Sequence, residues 1–341
     1  MIMLNVFTKP IEGFFIESLE GLIFDVKGLV HPPDRVIAYV RYIPDEKGSR
    51  IRQNIRYRKI YSLGERERFL KENYPKYLYK DPVFNTVLQA VPIDKIAKIY
   101  DPRLKLKELV HKKSLTIVEK AALDLALIIK EKAGIKLEDI GVSGSILVDL
   151  STESSDIDLV VYGERAGWNA YYALKKLFDE GVVDKYDRRS LEKLYEFRVK
   201  DTSINFEDFV KVESRKVLQG LFRSRDFYVR LVKKPSEYGE NYGDRIYESL
   251  GYQVISAEVV EDKDSIFTPC KYLISNVKVL EGCSRYIVDE IVSYRGRFCE
   301  IATKGERIRA RGKVEKVTDK KGRINYRLLV GENREDYIVL G

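Results

Sequence analysis

The chain has 341 residues, of which 44% are hydrophobic and 33% are charged, and this balance excludes an intrinsically disordered chain. At roughly 100 to 200 residues per domain, the length predicts two or three domains. The net charge of +8 favours polyanionic partners, while the lack of a long apolar run or a signal-peptide pattern predicts a cytoplasmic protein with no membrane association.

Residues 1–113 predict an N-terminal accessory α+β domain. The segments 14–28 (FFIESLEGLIFDVKG) and 35–63, the latter around PDEKGS, have the pattern of β-hairpins, whereas 65–74 (ERERFLKENY) and 82–91 (PVFNTVLQAV) have helical patterns. His31 lies in the Pro-rich bend between the hairpins. Because a lone histidine lacks the clustered ligands of a metal site, we expect His31 to be structural.

Residues 114–254 predict a central domain with an α/β layout. The segment 116–134 (TIVEKAALDLALIIKEKAG) is a clear amphipathic helix, with Thr116 and Glu119 forming a capping box and Gly134 as its stop. A short strand, a Gly-Ser turn, a strong strand at 156–163 (DIDLVVYG) and a second helix follow.

The central domain contains an unusual pair of acids in the stretch GSILVDLSTESSDIDL (144–159). Strand side chains alternate between faces, so Asp156 and Asp158 point the same way and repel each other unless a cation neutralises them. Mg²⁺, with Mn²⁺ as an alternative, is suited to carboxylates combined with substrate phosphates. Gly144 allows close backbone approach, and Ser145 can open a short helix whose N-terminus favours phosphate. The stretch therefore predicts a metal site for phosphate chemistry.

A Gly-Ser pair followed at this spacing by Asp-Ile-Asp in an apolar strand resembles the signature of the DNA polymerase beta-like nucleotidyltransferase superfamily. That signature covers about residues 139 to 234, and the whole chain is also similar to an uncharacterised archaeal group of predicted nucleotidyltransferases. The resemblance implies that the central domain, 114–254, is the catalytic domain and has a mixed sheet. It also implies that Asp156 and Asp158 are metal ligands, that a third carboxylate comes from a neighbouring strand, and that Gly144 and Ser145 bind the substrate.

The third carboxylate is sought in the later strand SRDFYVRLVKKP (224–235). We assign Asp226 as the third metal ligand and as the catalytic carboxylate that activates the attacking hydroxyl. If the comparison is anchored on VRLV instead, Tyr228 takes the carboxylate position and the second metal is weakened or lost. Glu258 and Asp262 are competing acids of lower rank. Arg230 alternates in phase with Asp226 and is predicted to bind substrate.

Residues 255–341 predict a small β-barrel-like domain of the OB-like type, from short strands separated by Gly-containing turns. Two basic segments, 211–234 and 307–323, are candidate surfaces for RNA or DNA, and the first holds eight cations against two anions. Solvated charged faces are the alternative for both. The three cysteines, Cys270, Cys283 and Cys299, form no metal-binding pattern, and we expect them to be small buried residues.

Taken together, these features predict an α+β enzyme that transfers a nucleoside monophosphate from an NTP to a hydroxyl acceptor, such as nucleic acid, with release of pyrophosphate. The alternative is a protein of the same fold that binds nucleic acid or nucleotide and has lost the chemistry. A transfer to protein is a third, weaker option. Only four glutamines and two methionines occur beside 61 Lys and Arg residues, which is a bias typical of thermophilic sources.

Overall fold

The computed structural model describes residues 9–341 as a mixed α+β structure with three separate sheets. In this described part of the chain, no helix is long and apolar enough to cross a membrane. The α-helices are α1 Leu63–Asn73, α2 Pro102–His111, α3 Ile117–Ala133, α4 Gly144–Leu147, α5 Glu164–Asp179, α6 Arg188–Arg198, α7 Phe206–Glu213 and α8 Pro235–Tyr238.

The strands are β1 Phe15–Ser18, β2 Ile23–Val26, β3 Arg35–Pro44, β4 Arg50–Arg52, β5 Ile55–Lys59, β6 Leu78–Asp81, β7 Thr86–Pro92, β8 Ile96–Tyr100, β9 Ile140–Val142, β10 Ile157–Tyr162, β11 Gln219–Phe222, β12 Arg225–Val232, β13 Arg245–Glu261, β14 Cys270–Glu281, β15 Glu290–Ser293, β16 Arg307–Asp319, β17 Ile324–Leu329 and β18 Tyr337–Leu340.

The N-terminal sheet has eight strands and branches at β3, which pairs with β2, β5 and β7. β1 and β2 form the expected antiparallel hairpin. The second predicted hairpin is more elaborate, because β3 pairs with β5 and β4 folds back on β5.

One predicted helix of the N-terminal region is wrong. Residues 65–74 lie largely in α1 as expected, but 82–91 form a turn and the strand β7. Asp81 Oδ1 accepts hydrogen bonds from the N–H groups of Val83 and Phe84, and Asn85 has a φ of +50°, so the chain turns here. β7 then pairs with both β3 and β6, and this sheet pairing outweighs the local helical pattern.

The central sheet has the order β11-β12-β10-β9, with β10 parallel to β12 and antiparallel to β9, so it is mixed as predicted. Helix α3 packs against β9 and β10. The capping box of Thr116 and Glu119 is present at its start, and Gly134 ends it with a φ of +61°. The predictions for this helix are confirmed.

The C-terminal sheet closes into a ring, because β13 pairs with both β14 and β16 while β15 and β17 join the other ends. Ring closure leaves β18 as an addition to β16. β13 runs through the expected boundary at residue 254, so its first half projects toward the N-terminal part of the chain, where Tyr247 packs with Val83.

Two cores join the three sheets. One continuous core unites the central and C-terminal sheets, with Phe267 packed close to Gly167 of α5. A second core joins the N-terminal sheet to the opposite face of the central sheet, through Val160, Tyr162 and Val232. The central sheet is therefore covered on both faces.

Candidate functional site

The side chains of β10 alternate between two faces of the central sheet, and one of these faces carries the aspartate pair. Ile157, Leu159 and Val161 are buried in the core shared with the C-terminal sheet. Asp158 lies on the other face, ahead of Val160, and Asp156 lies just before the strand and is exposed. The pair therefore sits where β10 begins, on the side that carries the N-terminal sheet.

Gly144 is held directly against Asp158. Its φ of +62° lies in the left-handed region, and a Cβ added there would lie 2.0 Å from Asp158 Oδ2. The Asp158 carbonyl also accepts a hydrogen bond from the Ser143 N–H at 2.8 Å. Only glycine fits this contact, which explains the first residue of the Gly-Ser pair.

Ser145 supplies a polar group that has no partner. Its side chain is 3% exposed, and its Oγ makes no hydrogen bond within residues 9–341. A buried hydroxyl left unpaired is costly, so it marks a position where an additional ligand atom can be bound. Ser145 is the second residue of a helix of only four residues, α4.

The loop from α4 to the aspartates is held in place by two arginines. Arg50 of β4 donates to the Leu150 carbonyl, and Arg225 of β12 donates to the carbonyls of Glu153 and Ser155, each at 2.6 Å. Both ends of the loop are therefore fixed by neighbouring strands. These hydrogen bonds to the main chain position Asp156 and leave its carboxylate available for a ligand.

The charges of the two carboxylates are only partly offset by nearby cations. Burial, and then the charge of Asp156, raise the pKa of Asp158 to about 7. Lys59 and Arg41, from the N-terminal sheet, act in the opposite direction. Burial in turn lowers the pKa of Lys59 to about 8. Asp158 is thus partly protonated near neutral pH, and a bound cation would favour its ionised form.

The two carboxylates suit Mg²⁺, because this ion prefers oxygen ligands. Residues 9–341 contain no group of three His, Cys, Asp or Glu side chains arranged to hold a metal. The pair therefore supplies two carboxylates, substrate oxygens would complete the set, and the Ser145 hydroxyl is left to bind a substrate oxygen.

The strand register decides which residue lies beside Asp158. β10 and β12 are parallel, and Tyr228 is paired with Asp158, as Phe227 is with Ile157. The Tyr228 hydroxyl is buried without a partner in the described part of the chain and lies against Gly296, where a Cβ would be 2.0 Å away. Asp226 lies two residues before Tyr228 and is exposed. It lies close to Tyr186, because burial of Tyr186 and then the charge of Asp226 raise the pKa of that tyrosine.

The remaining predicted residues lie apart from the pair. Arg230 shares the face of Tyr228 and forms an ion pair with the buried Glu12. Burial lowers the pKa of Arg230 to about 10. Glu258 and Asp262 lie in and just after β13, in the C-terminal sheet.

The basic segment 211–234 is largely neutralised by carboxylates from other parts of the chain. Arg215 pairs with Glu306 at 2.9 Å, and Arg223 pairs with Asp124 at 2.6 Å. Arg225 binds main-chain carbonyls instead. The other paired cations are Lys211, Lys216, Arg230, Lys233 and Lys234. The surplus counted along the sequence is thus not a free positive surface.

The segment 307–323 is divided in the same way. Arg307 and Arg309 are exposed and have no ion pair among residues 9–341, which leaves a small positive patch on β16. Lys321, in the turn after β16, is likewise exposed and has no ion pair in the described part of the chain. The remaining cations of the segment do have carboxylate partners: Arg311, Lys313, Lys316, Lys320 and Arg323.

The sequence analysis missed the contribution of the N-terminal sheet to the site. Arg41 and Lys59 act on the aspartate pair, and Asp25 of β2 raises the pKa of Asp158 further. In β3, Arg41 follows Ile37 and Tyr39 on the face opposite the core residues Val36, Ala38 and Val40. This alternation is visible in the sequence, but it does not reveal that the face meets Asp158.

Comparison with known proteins gives one informative match. The chain is 33% identical over 333 residues to a protein of Methanocaldococcus jannaschii named "Uncharacterized protein MJ1086", and the match covers 95% of this chain and 96% of that protein. No family model matches the chain. No solved structure matches it either.

Proposed function

Because the chain belongs to the same family as the Methanocaldococcus jannaschii protein, whose name states no activity, its function must be inferred from the site, and we propose that it is a metal-dependent nucleotidyltransferase. We propose that its central sheet is of the DNA polymerase beta-like type and that the C-terminal ring is an OB-like barrel. The observation that carries the proposal is the contact of Gly144 with Asp158, beside the unpaired Ser145 hydroxyl.

The proposed reaction joins an acceptor hydroxyl to the α-phosphorus of an NTP. A new bond forms between the hydroxyl oxygen and the phosphorus, the bond from that phosphorus to the bridging oxygen breaks, and pyrophosphate leaves. The hydroxyl proton passes to a carboxylate, for which we propose Asp226. The balance of atoms and charge requires no oxidant or reductant.

Asp156 and Asp158 would hold Mg²⁺, which supplies charge neutralisation for the phosphate oxygens when it is bound. Gly144 keeps the backbone close to Asp158, and Ser145 donates its hydroxyl to a phosphate oxygen. Lys59 and Arg41 add positive charge on the side of the N-terminal sheet, where they partly offset the two carboxylates.

The test is NTP turnover by aspartate variants. The wild-type protein is incubated with each α-labelled NTP, Mg²⁺ and total cellular RNA, DNA, protein or small-molecule extract, and transfer of label and release of pyrophosphate are measured. We expect D156N and D158N to remain folded and to lose turnover by at least 10³-fold, since the loss of a carboxylate removes stabilisation made in the transition state.

A matched control separates this effect from a general loss of negative charge. Asp94 is exposed and paired only with the neighbouring Lys95 at 3.1 Å, so D94N should retain full turnover. Turnover in D156N or D158N equal to that in D94N would refute the assignment of the site. Metal-dependent nucleotide binding without turnover in any fraction would instead support the catalytically degenerate alternative.

A further inference from the structure

A large cavity lies between the three sheets. Its volume is about 550 Å³, and we call it the chamber. Its walls come from β2, β3 and α1 of the N-terminal region, from Arg230 of β12, and from residues 294–297 and 327–332 of the C-terminal ring. A volume in this range suits one small molecule, since small-molecule sites in proteins occupy roughly 300 to 1,000 Å³.

Most charges of the chamber wall are already paired. Lys27 binds Asp25 at 2.8 Å, Arg295 lies 3.6 Å from Asp201, and Arg327 binds Glu315 at 2.8 Å. Arg230 is paired with Glu12. These pairs cancel, so they do not define what the chamber binds.

Three arginines remain without a carboxylate partner within residues 9–341. Arg66 is 6% exposed and makes only long hydrogen bonds to the Ile60 carbonyl, at 3.3 and 3.4 Å. Arg297 donates to Thr202 Oγ1 at 2.7 Å, and the guanidinium of Arg41 lies 5.7 Å from the centre of the Tyr61 ring. Several guanidinium donors are therefore free to face the chamber.

Two of these arginines also lie within reach of the charge of another wall arginine. Burial, and then the charge of Arg41, lower the pKa of Arg66 to about 9. Burial and then the charge of Arg295 lower the pKa of Arg297. Like charges held together out of water are stabilised by an anion, and the planar guanidinium fork matches a phosphate.

Arg41 connects the chamber to the aspartate pair. It lines the chamber, and it is close enough to Asp158 for its charge to oppose the rise in that carboxyl's pKa. Asp156, Asp158, Gly144 and Ser145 are not part of the chamber wall. The chamber is thus a neighbouring compartment, which leaves it available for a second substrate.

We propose that the chamber binds the phosphate group of a small phosphorylated molecule through Arg41, Arg66 and Arg297, and that this molecule is the acceptor whose hydroxyl is presented to the aspartate pair. The acceptor role rests on the proposed nucleotidyltransferase function. A polymeric acceptor is disfavoured, because most surface cations in 211–234 and 307–323 are paired with carboxylates.

The first experiment measures binding of inorganic phosphate in the presence of EDTA, by ³¹P line broadening and by titration calorimetry. We expect the wild-type protein to bind phosphate, and R66Q and R297Q each to bind it at least tenfold more weakly. Arg223 is an exposed arginine paired with Asp124, so R223Q is the matched control and should bind as the wild type does. Circular dichroism establishes that each variant is folded.

The D156N/D158N double variant separates this proposal from the proposed function. It should lose turnover and still bind phosphate, because its substitutions lie outside the chamber wall. Absence of phosphate binding by the wild type, or its loss in the double variant together with full binding by R66Q and R297Q, would overturn the chamber assignment.

A competition experiment identifies the source of the phosphate. With phosphate bound, a Mg²⁺ complex of α,β-methylene NTPs is added, and we expect phosphate to remain bound. Full displacement would mean that the chamber holds the nucleotide tail and would overturn the acceptor role. Phosphate binding with no NTP turnover in any fraction would remove the acceptor role while the anion site stands.

Discussion

At the scale of single residues, the site depends on side chains that are left uncompensated. Asp158, the Ser145 hydroxyl and the Arg66 guanidinium are each buried or partly buried without the partner that their chemistry requires. Uncompensated groups of this kind are found where a protein binds something else. Gly144 differs from these residues, because it is required by its close contact with Asp158, which is already formed in the protein.

Replacement of Gly144 tests the contact with Asp158. G144A adds a Cβ that would lie 2.0 Å from Asp158 Oδ2 and 2.9 Å from Asp158 Cβ, so the two segments must separate. We expect lower stability and loss of Mg²⁺ and nucleotide binding, measured by urea unfolding and calorimetry.

Gly134 provides the control for that substitution. Its φ of +61° is almost the same as that of Gly144, but nothing lies within 4 Å of its Cβ position. G134A should therefore cost only the conformational penalty of about 1 kcal/mol and leave binding unchanged. If G144A and G134A have equal effects, the contact with Asp158 is unimportant.

His31 gives a prediction on pH dependence. Burial lowers its pKa to about 3, and its Nδ1 accepts the Ile37 N–H at 3.1 Å, so it is neutral in the folded protein. The unfolded chain binds a proton near pH 6.5, so His31 contributes stability above that pH, and this contribution is lost as the pH falls toward 3.

Between pH 7 and pH 5, this residue should lower the free energy of unfolding by about 2 kcal/mol. In H31N, the amide oxygen can accept the same hydrogen bond but does not titrate, so the decrease over this interval should be smaller by that amount. Urea unfolding at both pH values measures it. Parallel decreases in the two proteins would contradict the prediction.

At the scale of elements, β10 and β12 determine which groups meet. Their parallel register places Tyr228 beside Asp158 and leaves Asp226 at the exposed start of β12. The two alternatives for the third carboxylate, which the sequence left open, can therefore be separated by substitution.

We expect D226N to lower NTP turnover by 10² to 10⁴-fold, as the loss of a proton acceptor does, and Y228F to leave turnover unchanged. The Tyr228 hydroxyl is buried without a partner in residues 9–341, so its removal should not destabilise the protein. Steady-state pyrophosphate release measures both variants. Full activity of D226N with loss in Y228F would transfer the role to the tyrosine position.

Local patterns predicted several elements correctly because short-range rules determine them. The capping box and the C-terminal glycine of α3 and the alternation of β12 are examples. The helix predicted for residues 82–91 was wrong because pairing with β3 and β6 determines their conformation, and a local pattern does not show this pairing. The sequence spacing alone identified Gly144, Ser145, Asp156 and Asp158 as candidate site residues. It could not identify Arg41 and Lys59, because they come from strands that are distant in sequence.

At the scale of the whole molecule, long-range pairing decides where charge is available. Glu12 and Arg230 form an ion pair across 218 residues of sequence, and no local count of charges could reveal it. The same is true of Arg215, Arg223 and Lys234 in the basic segment 211–234, whose carboxylate partners lie far away in the sequence. The chamber exists only because three sheets meet, so its three free arginines are visible only in the folded chain.

The continuous core predicts joint unfolding of the central and C-terminal sheets. Phe267 is 1% exposed, approaches Gly167, and packs edge-on to Trp168 at 6.3 Å. F267A should therefore lower stability by about 3 to 5 kcal/mol and affect both sheets. Trp168 is the only tryptophan and reports on this interface.

The unfolding transition seen by Trp168 fluorescence should coincide with the main far-UV circular dichroism transition in the wild type. In F267A, both transitions should move together to lower denaturant concentration. F24A, which removes a buried ring from the N-terminal core, serves as a comparison of similar size. A circular dichroism transition that leaves Trp168 fluorescence unchanged in F267A would show that the two sheets unfold independently.

The crowding of guanidinium groups in the chamber has an evolutionary consequence. Substituting Arg66 by a neutral residue would relieve repulsion, so selection for robustness alone would tend to discard it. Sequencing many relatives would therefore act as an assay: lineages that retain the positive charge at this position are those that still use a ligand there, and lineages that have drifted to neutral residues have abandoned it.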